Sequence, residues 1–221
     1  MDKADASSRR ELALAALTGL VALFAIVLQY VLLLARTWHG KGPLAASVQF
    51  LSYFTILSNI GVLLVATAAA SRSTCLAWFA TPRMRGAIAL YIGVTGAIYV
   101  TILRTLWSPT GWQWLADSSL HYAVPVLYLV LWLSFWRRRA LAWSDAIRWM
   151  AFPLIYLAWA LARGAWVGEY PYPFLDAANL GYARVVVNAL GVTAVFVVLA
   201  FVLIAVERSA ATRAAEPARA L

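Results

Sequence analysis

The chain has 221 residues, 64% hydrophobic and 12% charged, with 18 Lys and Arg against 9 Asp and Glu. That charged share is about half the usual globular value, so a soluble fold would lack the polar surface needed to cover its core. The basic excess is confined largely to alternate loops, which excludes a nucleic-acid footprint and points to membrane topology.

The first apolar run, Glu11 to Ala35, follows Ser8-Arg9-Arg10-Glu11-Leu12, a string like a twin-arginine export signal. Its length of about 24 residues exceeds the roughly 7–15 of a signal core, so it reads as a retained anchor. Further runs cover Leu51 to Ala70, Gly86 to Leu106, Ser118 to Trp136, Ile147 to Arg163 and Tyr182 to Val206. Each is close to the roughly 20 residues that cross about 30 Å of hydrocarbon at 1.5 Å per residue. They lack period-2 alternation, and inside lipid each must satisfy its own backbone, so they predict helices. The expected fold is all-α: a polytopic bundle of six transmembrane helices over residues 1–207. Residues 208–221, rich in Ala, Arg and Pro, hold too few large apolar side chains to pack and are expected to form a basic, disordered cytoplasmic tail.

Cys75 is the only cysteine, which leaves no intramolecular disulfide and no cysteine-based metal site. With two histidines, one of them His39 in a loop, a zinc site is short of ligands, and no metal or cofactor is expected. No internal repeat or nucleotide-binding glycine pattern stands out.

Lys3, Arg9 and Arg10 precede the first span, and Arg72, Arg83 and Arg85 join the second to the third. Arg137, Arg138, Arg139 and Arg148 lie between the fourth and fifth, and Arg208, Arg213 and Arg219 follow the last. The other loops keep only Arg36 and Lys41 between the first two spans and no Lys or Arg between Trp107 and Asp117. The positive-inside rule then places both termini in the cytoplasm of a bacterial cell, with the chain integral to the cytoplasmic membrane and in contact with its lipids. The same clusters would attract anionic headgroups.

With this topology, Thr55, Ser58 and Asn59 occupy the outer half of span two, Arg104 ends span three and His121 opens span four. Arg163 ends span five, and Arg184 and Asn188 open span six. Buried ionisable groups in a bilayer cost about 2.5–3.5 kcal/mol on translocon scales and usually face a partner or a water-filled cavity. Their shared depth predicts one polar cavity opening outward, lined by Thr55, Asn59, Arg104, His121, Arg163, Arg184 and Asn188. Thr55 with Asn59, and Arg184 with Asn188, are four apart and share a helix face. His121 stands one turn before Pro125, where an irregular helix frees a carbonyl. Against this stand blander roles: Thr and Asn as glue between helices, Arg snorkelling to headgroups, His merely hydrated. The fifth connection, Glu169-Tyr-Pro-Tyr-Pro-Phe-Leu-Asp176, reads as an aromatic interfacial cap whose carboxylates could pair with Arg163 or Arg184.

The order Phe50-Leu-Ser-Tyr-Phe-Thr55-Ile-Leu-Ser-Asn59, then Leu120-His121-Tyr-Ala-Val-Pro125, then Tyr172-Pro-Phe-Leu-Asp176 resembles the bacterial Pr6Pr-type six-span membrane proteins. More distantly it is similar to the eukaryotic androgen-induced-gene family of integral-membrane threonine hydrolases. The resemblance implies a lipid-ester hydrolase, acting on esters of the fatty-acid–hydroxy-fatty-acid class, with Thr55 as nucleophile and His121 as its partner. A threonine hydroxyl needs such a base within about 2.6–3.2 Å. Asn59 or a nearby Arg would then stabilise the oxyanion. Arg104, Arg163 or Arg184 would hold a substrate carboxylate, with Asp176 and Asn188 completing the candidate binding set. Asp117, Glu169 and Asp176 are the candidates to orient the imidazole. The competing reading is a non-enzymatic carrier, channel or accessory subunit that binds a ligand in the same cavity. The discriminator is whether the Thr55 and His121 side chains approach each other.

Overall fold

In the computed structural model, residues 3–71, 74–135 and 141–215 are described. Among them no strand forms, and helix follows helix from end to end. The helices are α1 (Lys3–Thr37), α2 (Gly42–Leu51), α3 (Phe54–Ser71), α4 (Pro82–Thr101), α5 (Gly111–Ser118), α6 (Val124–Phe135), α7 (Trp143–Trp149), α8 (Ala151–Val167) and α9 (Ala177–Ala215). A π-turn, Ser119–Ala123, joins α5 to α6 without interrupting the rod. Six helical rods are long and apolar enough to cross a membrane: Ser8–Thr37, Phe54–Ser71, Pro82–Thr105, Gly111–Ser134, Trp143–Val167 and Ala177–Ser209. Large apolar side chains such as Leu20, Val130, Ile155 and Val198 point outward from these rods. In water such a surface would drive aggregation, whereas in lipid it is the natural outer face. The chain is an integral membrane protein with an all-α, six-span fold.

The rods depart from uniform helices where the sequence removes a donor or a side chain. Span two was expected to begin at Leu51; instead α2 stops there and α3 restarts at Phe54. The break exposes the Ser52 carbonyl, which accepts from the Tyr156 hydroxyl at 2.9 Å. Span four begins at Gly111, earlier than the expected Ser118. In the fifth rod, Pro153 has no N–H to offer the Trp149 carbonyl four residues back, and the Tyr91 hydroxyl donates to it instead at 2.8 Å. The last helix runs on to Ala215, so the described part of the expected disordered tail is helical; 216–221 lie outside the described residues. The Ala-rich stretch beyond Arg208 has high intrinsic helix propensity and extends α9 without needing a partner.

At the heart of the bundle, Phe54 packs edge-on against Tyr91, Tyr156 and Phe196, with ring centroids 5.1–6.0 Å apart. One end of the bundle is tied by Asp145, which bonds Arg148 at 2.8 Å and Arg83 at 3.3 Å. At the other end Lys41, in the first connection, pairs with Glu169 in the fifth. That second end carries the start of α3, the close of α4, the start of α5 and the 168–176 loop, and the polar groups gather there.

Candidate functional site

Thr55 is the second residue of α3, in the first turn, where backbone N–H groups have no partner within the helix. Its N–H donates to the Tyr172 hydroxyl at 3.1 Å. Its side-chain oxygen lies 3.2 Å from the same hydroxyl and 3.3 Å from His121 Nε2. The latter is at the long edge of a nucleophile–base pair, a separation common in sites without substrate.

His121 sits inside the π-turn. Such turns admit one extra residue into a helix and recur at functional sites. In this geometry Val124 N–H reaches back to the Ser119 carbonyl, so the next bond in the series would run from residue 125 to Leu120. Residue 125 is proline and cannot donate. The freed Leu120 carbonyl is taken by Asn59 Nδ2 at 3.3 Å, and the same amide nitrogen donates to the Thr55 carbonyl at 2.8 Å. Asn59 is fully buried and both its N–H groups are spent on carbonyls, so it ties α3 to the π-turn and has none left for a ligand.

The other face of the imidazole is held firmly. His121 Nδ1 lies 2.9 Å from the Asp117 carbonyl and 3.4 Å from Asp117 Oδ1. The Tyr99 hydroxyl donates to the second carboxylate oxygen of Asp117, and the Tyr99 ring stacks on the imidazole. Hydrogen-bond directions follow from the ends of this chain. A backbone N–H can only donate, so the Tyr172 oxygen accepts from Thr55; with the Thr55 hydroxyl donating to an unprotonated His121 Nε2, the Tyr172 hydroxyl is left as the donor to Thr55 Oγ1. The Asp117 carbonyl can only accept, so in the neutral ring Nδ1 carries the hydrogen and Nε2 is free to receive the Thr55 proton.

Thr55 and Tyr172 stand between two cavities. One, of about 390 Å³, is bounded by α1, α3, the end of α4, α5 and residues Pro171 to Pro173. Its wall is mixed, with His121, Asp117, Tyr99, Arg36 and the pair in which Gln113 donates to Gln29 at 2.7 Å. The other is a narrow apolar slot of about 80 Å³ between α4, α8 and α9, lined by Val94, Ile98, Leu157, Val192 and Phe196 among others. Thr55, Leu103 and Tyr172 line both. A ligand with one apolar and one polar arm would therefore place its junction at the Thr55 hydroxyl.

The remaining expected residues are not gathered here. Arg104 and Arg184 are exposed. Arg163 is buried and donates to the Glu169 carbonyl at 3.0 Å, closing the loop that follows α8. Asn188 donates to the Phe174 carbonyl at 2.9 Å and fixes the same loop. Asp176 caps α9, accepting from the Ala178 and Asn179 amides at 3.1 Å each. Glu169 pairs with Lys41 rather than with Arg163 or Arg184. The single cavity expected from shared depth thus reduces to Thr55 and His121, with Asn59 behind them. Depth fixes position along a helix axis but not rotation about it: Arg104, though beside Tyr99, and Arg163 and Arg184 line neither cavity. Of the three candidate carboxylates, Asp117 is the one beside the imidazole. Sequence reasoning overlooked Tyr99 and the Tyr172 hydroxyl; for Tyr99 the available signal was its position at the same end of span three as Arg104.

Among the described residues no cluster of three or more His, Cys, Asp or Glu forms that could hold a metal ion. No protein-family model, curated protein or solved structure matches this chain.

Proposed function

We propose that this protein is a membrane-embedded hydrolase of lipid esters in which Thr55 is the nucleophile, His121 the general base and Asp117 the residue that orients the imidazole. The observation that carries this reading is the Thr55 Oγ1 to His121 Nε2 contact at 3.3 Å, with Nδ1 anchored on Asp117. The resemblance to membrane threonine hydrolases read from the sequence implies the same pair. In the proposed step, Thr55 Oγ1 bonds to the ester carbon as its proton passes to Nε2, and the carbonyl π pair moves to oxygen. Collapse breaks the bond to the alcohol, which leaves with the proton from His121. Water then attacks the acyl-threonine by the same route and releases the acid. The apolar slot suits an acyl chain, and the mixed cavity suits the alcohol portion.

Both termini are assigned to the cytoplasm of a bacterial cell, with the site in the outer leaflet of its cytoplasmic membrane, from the alternate-loop placement of Lys and Arg.

The test is turnover of a panel of lipid esters, branched fatty-acid esters included, by the purified protein in detergent. Thr55→Ala and His121→Ala should each abolish hydrolysis, lowering kcat by about 10⁴-fold or more, because members of one catalytic unit fail together. Equal turnover by wild type and Thr55→Ala rejects the mechanism. If neither hydrolyses any ester, the non-enzymatic ligand-binding reading takes its place.

A further inference from the structure

The geometry points to Tyr172 as a further catalytic residue, the donor that stabilises the oxyanion at Thr55; this rests on the hydrolase reading. The nearest alternative donors, on Asn59 and the Thr55 backbone, are committed. Asn59 spends both N–H groups on the Thr55 and Leu120 carbonyls. The Thr55 N–H is directed at the Tyr172 oxygen, and Arg104, Arg163 and Arg184 line neither cavity. The Tyr172 hydroxyl lies 3.2 Å from the reacting oxygen and, with the Thr55 proton directed at His121, donates to it.

Position supports the role. Tyr172 and Thr55 form the shared wall of the apolar slot and the mixed cavity, so an ester with one arm in each has its carbonyl beside the phenol. Before attack, Thr55 Oγ1 accepts a hydrogen bond from the phenol. As Oγ1 becomes bonded to the acyl carbon it loses its strength as an acceptor, while the carbonyl oxygen gains a full negative charge about 2.3 Å away, the spacing of two oxygens on one tetrahedral carbon. The phenol hydrogen bond then shifts from Oγ1 to that oxygen. No bond to hydrogen is broken, and the proton stays on Tyr172. The N–H of Thr55, at the positive end of α3, polarises the phenol oxygen and strengthens its donation. Burial raises the Tyr172 phenol above its ordinary value, which keeps the hydrogen in place.

The ring is fixed for this purpose. It stacks on Phe174 with centroids 5.2 Å apart and planes inclined by 4°, and meets the Tyr53 ring edge-on at 5.9 Å. Those contacts survive in Tyr172→Phe, which deletes only the hydroxyl.

The experiment compares wild type, Tyr172→Phe and Tyr172→Leu for ester turnover, for affinity toward a trifluoromethyl ketone that forms a tetrahedral adduct with the nucleophile, and for affinity toward an ether analogue that cannot react. Tyr172→Phe should lose about 10²–10³-fold in kcat, with KM and ether affinity unchanged, and the ketone should weaken by a similar factor. Ether binding shows in each variant that the fold is intact. Wild-type turnover in Tyr172→Phe with impairment only in Tyr172→Leu would mean that the ring merely packs, and overturns the assignment while leaving Thr55 and His121 in place. Absence of hydrolysis in wild type removes the hydrolase reading and this inference with it.

Discussion

The Tyr99 ring lies flat against the His121 imidazole, with centroids 4.1 Å apart and planes inclined by 17°, while its hydroxyl donates to the carboxylate of Asp117. One side chain thus sets both the plane of the imidazole and the direction of the carboxylate behind it. Tyr99→Phe keeps the stack and loses the hydrogen bond. A bond to a charged acceptor is worth about 1.5–3 kcal/mol, so kcat should fall about 10–100-fold. Tyr99→Leu, which loses the stack as well, should fall further. Steady-state kinetics on the best ester of the panel reads both, and unchanged activity in Tyr99→Phe would detach Tyr99 from the site.

Asp117→Asn should be milder than removal of the acid from a serine-hydrolase triad, where the loss is about 10⁴-fold. The imidazole here has a second tether that the substitution leaves intact, the Asp117 backbone carbonyl at 2.9 Å. The expected loss is about 10–100-fold in kcat with the Nδ1–H tautomer retained, a value within reach of ordinary assays. A 10⁴-fold loss would show that the carboxylate, at 3.4 Å, governs the tautomer and that the carbonyl contact is secondary.

Asn59→Leu matches the side chain in size but leaves the Leu120 carbonyl without a donor. An orphaned buried acceptor costs about 1–3 kcal/mol, and the substitution should lower the unfolding midpoint in detergent. Hydrolysis should fall too, because the same amide links the Thr55 and His121 backbones. Full activity at normal stability would argue against this tie.

Gly164→Ala tests the loop that carries Tyr172. A Cβ there would lie 2.2 Å from the Tyr170 ring, so the ring and the adjoining loop must move. Overpacking of this kind costs about 1–3 kcal/mol. Reduced thermal stability and reduced kcat should appear together, whereas Gly191→Ala, with open space around its Cβ, should change neither.

Orientation is tested separately. A tag fused after Leu221 should be labelled only when the cytoplasmic side is opened, as the placement of Lys and Arg requires. Labelling of intact cells would invert the bundle and carry the site to the inner leaflet.

The six spans were legible because apolar runs of bilayer length leave the backbone little alternative to helix. Their ends were less so: the break at Ser52 and Tyr53 depends on a distant donor, the Tyr156 hydroxyl, that no local pattern reveals. Thr55 and His121 stood out as polar side chains in apolar strings, with the family resemblance pointing to the same two. Asp117 could be narrowed only to one of three carboxylates, since choosing among them requires knowing which way the imidazole turns. Arg163 and Arg184 show the converse. They share the depth of the site, but one donates to the Glu169 carbonyl and the other is exposed.

The π-turn gives the fourth rod a single axis but two phases. Each residue of an α-helix advances the side-chain direction by about 100°, so the extra residue held in Ser119–Ala123 offsets everything after it from everything before it. Above the offset, Gln113 is matched to Gln29 on α1; below it, the Tyr128 hydroxyl is matched to the Arg85 carbonyl on α4. Each half can therefore keep its own neighbour without compromise from the other, and His121 sits at the seam. Deleting one residue within the turn would leave an unbroken apolar rod that still spans, while swinging the imidazole away from Thr55. A chain so shortened would insert as well as the original and lose the contact between His121 and Thr55.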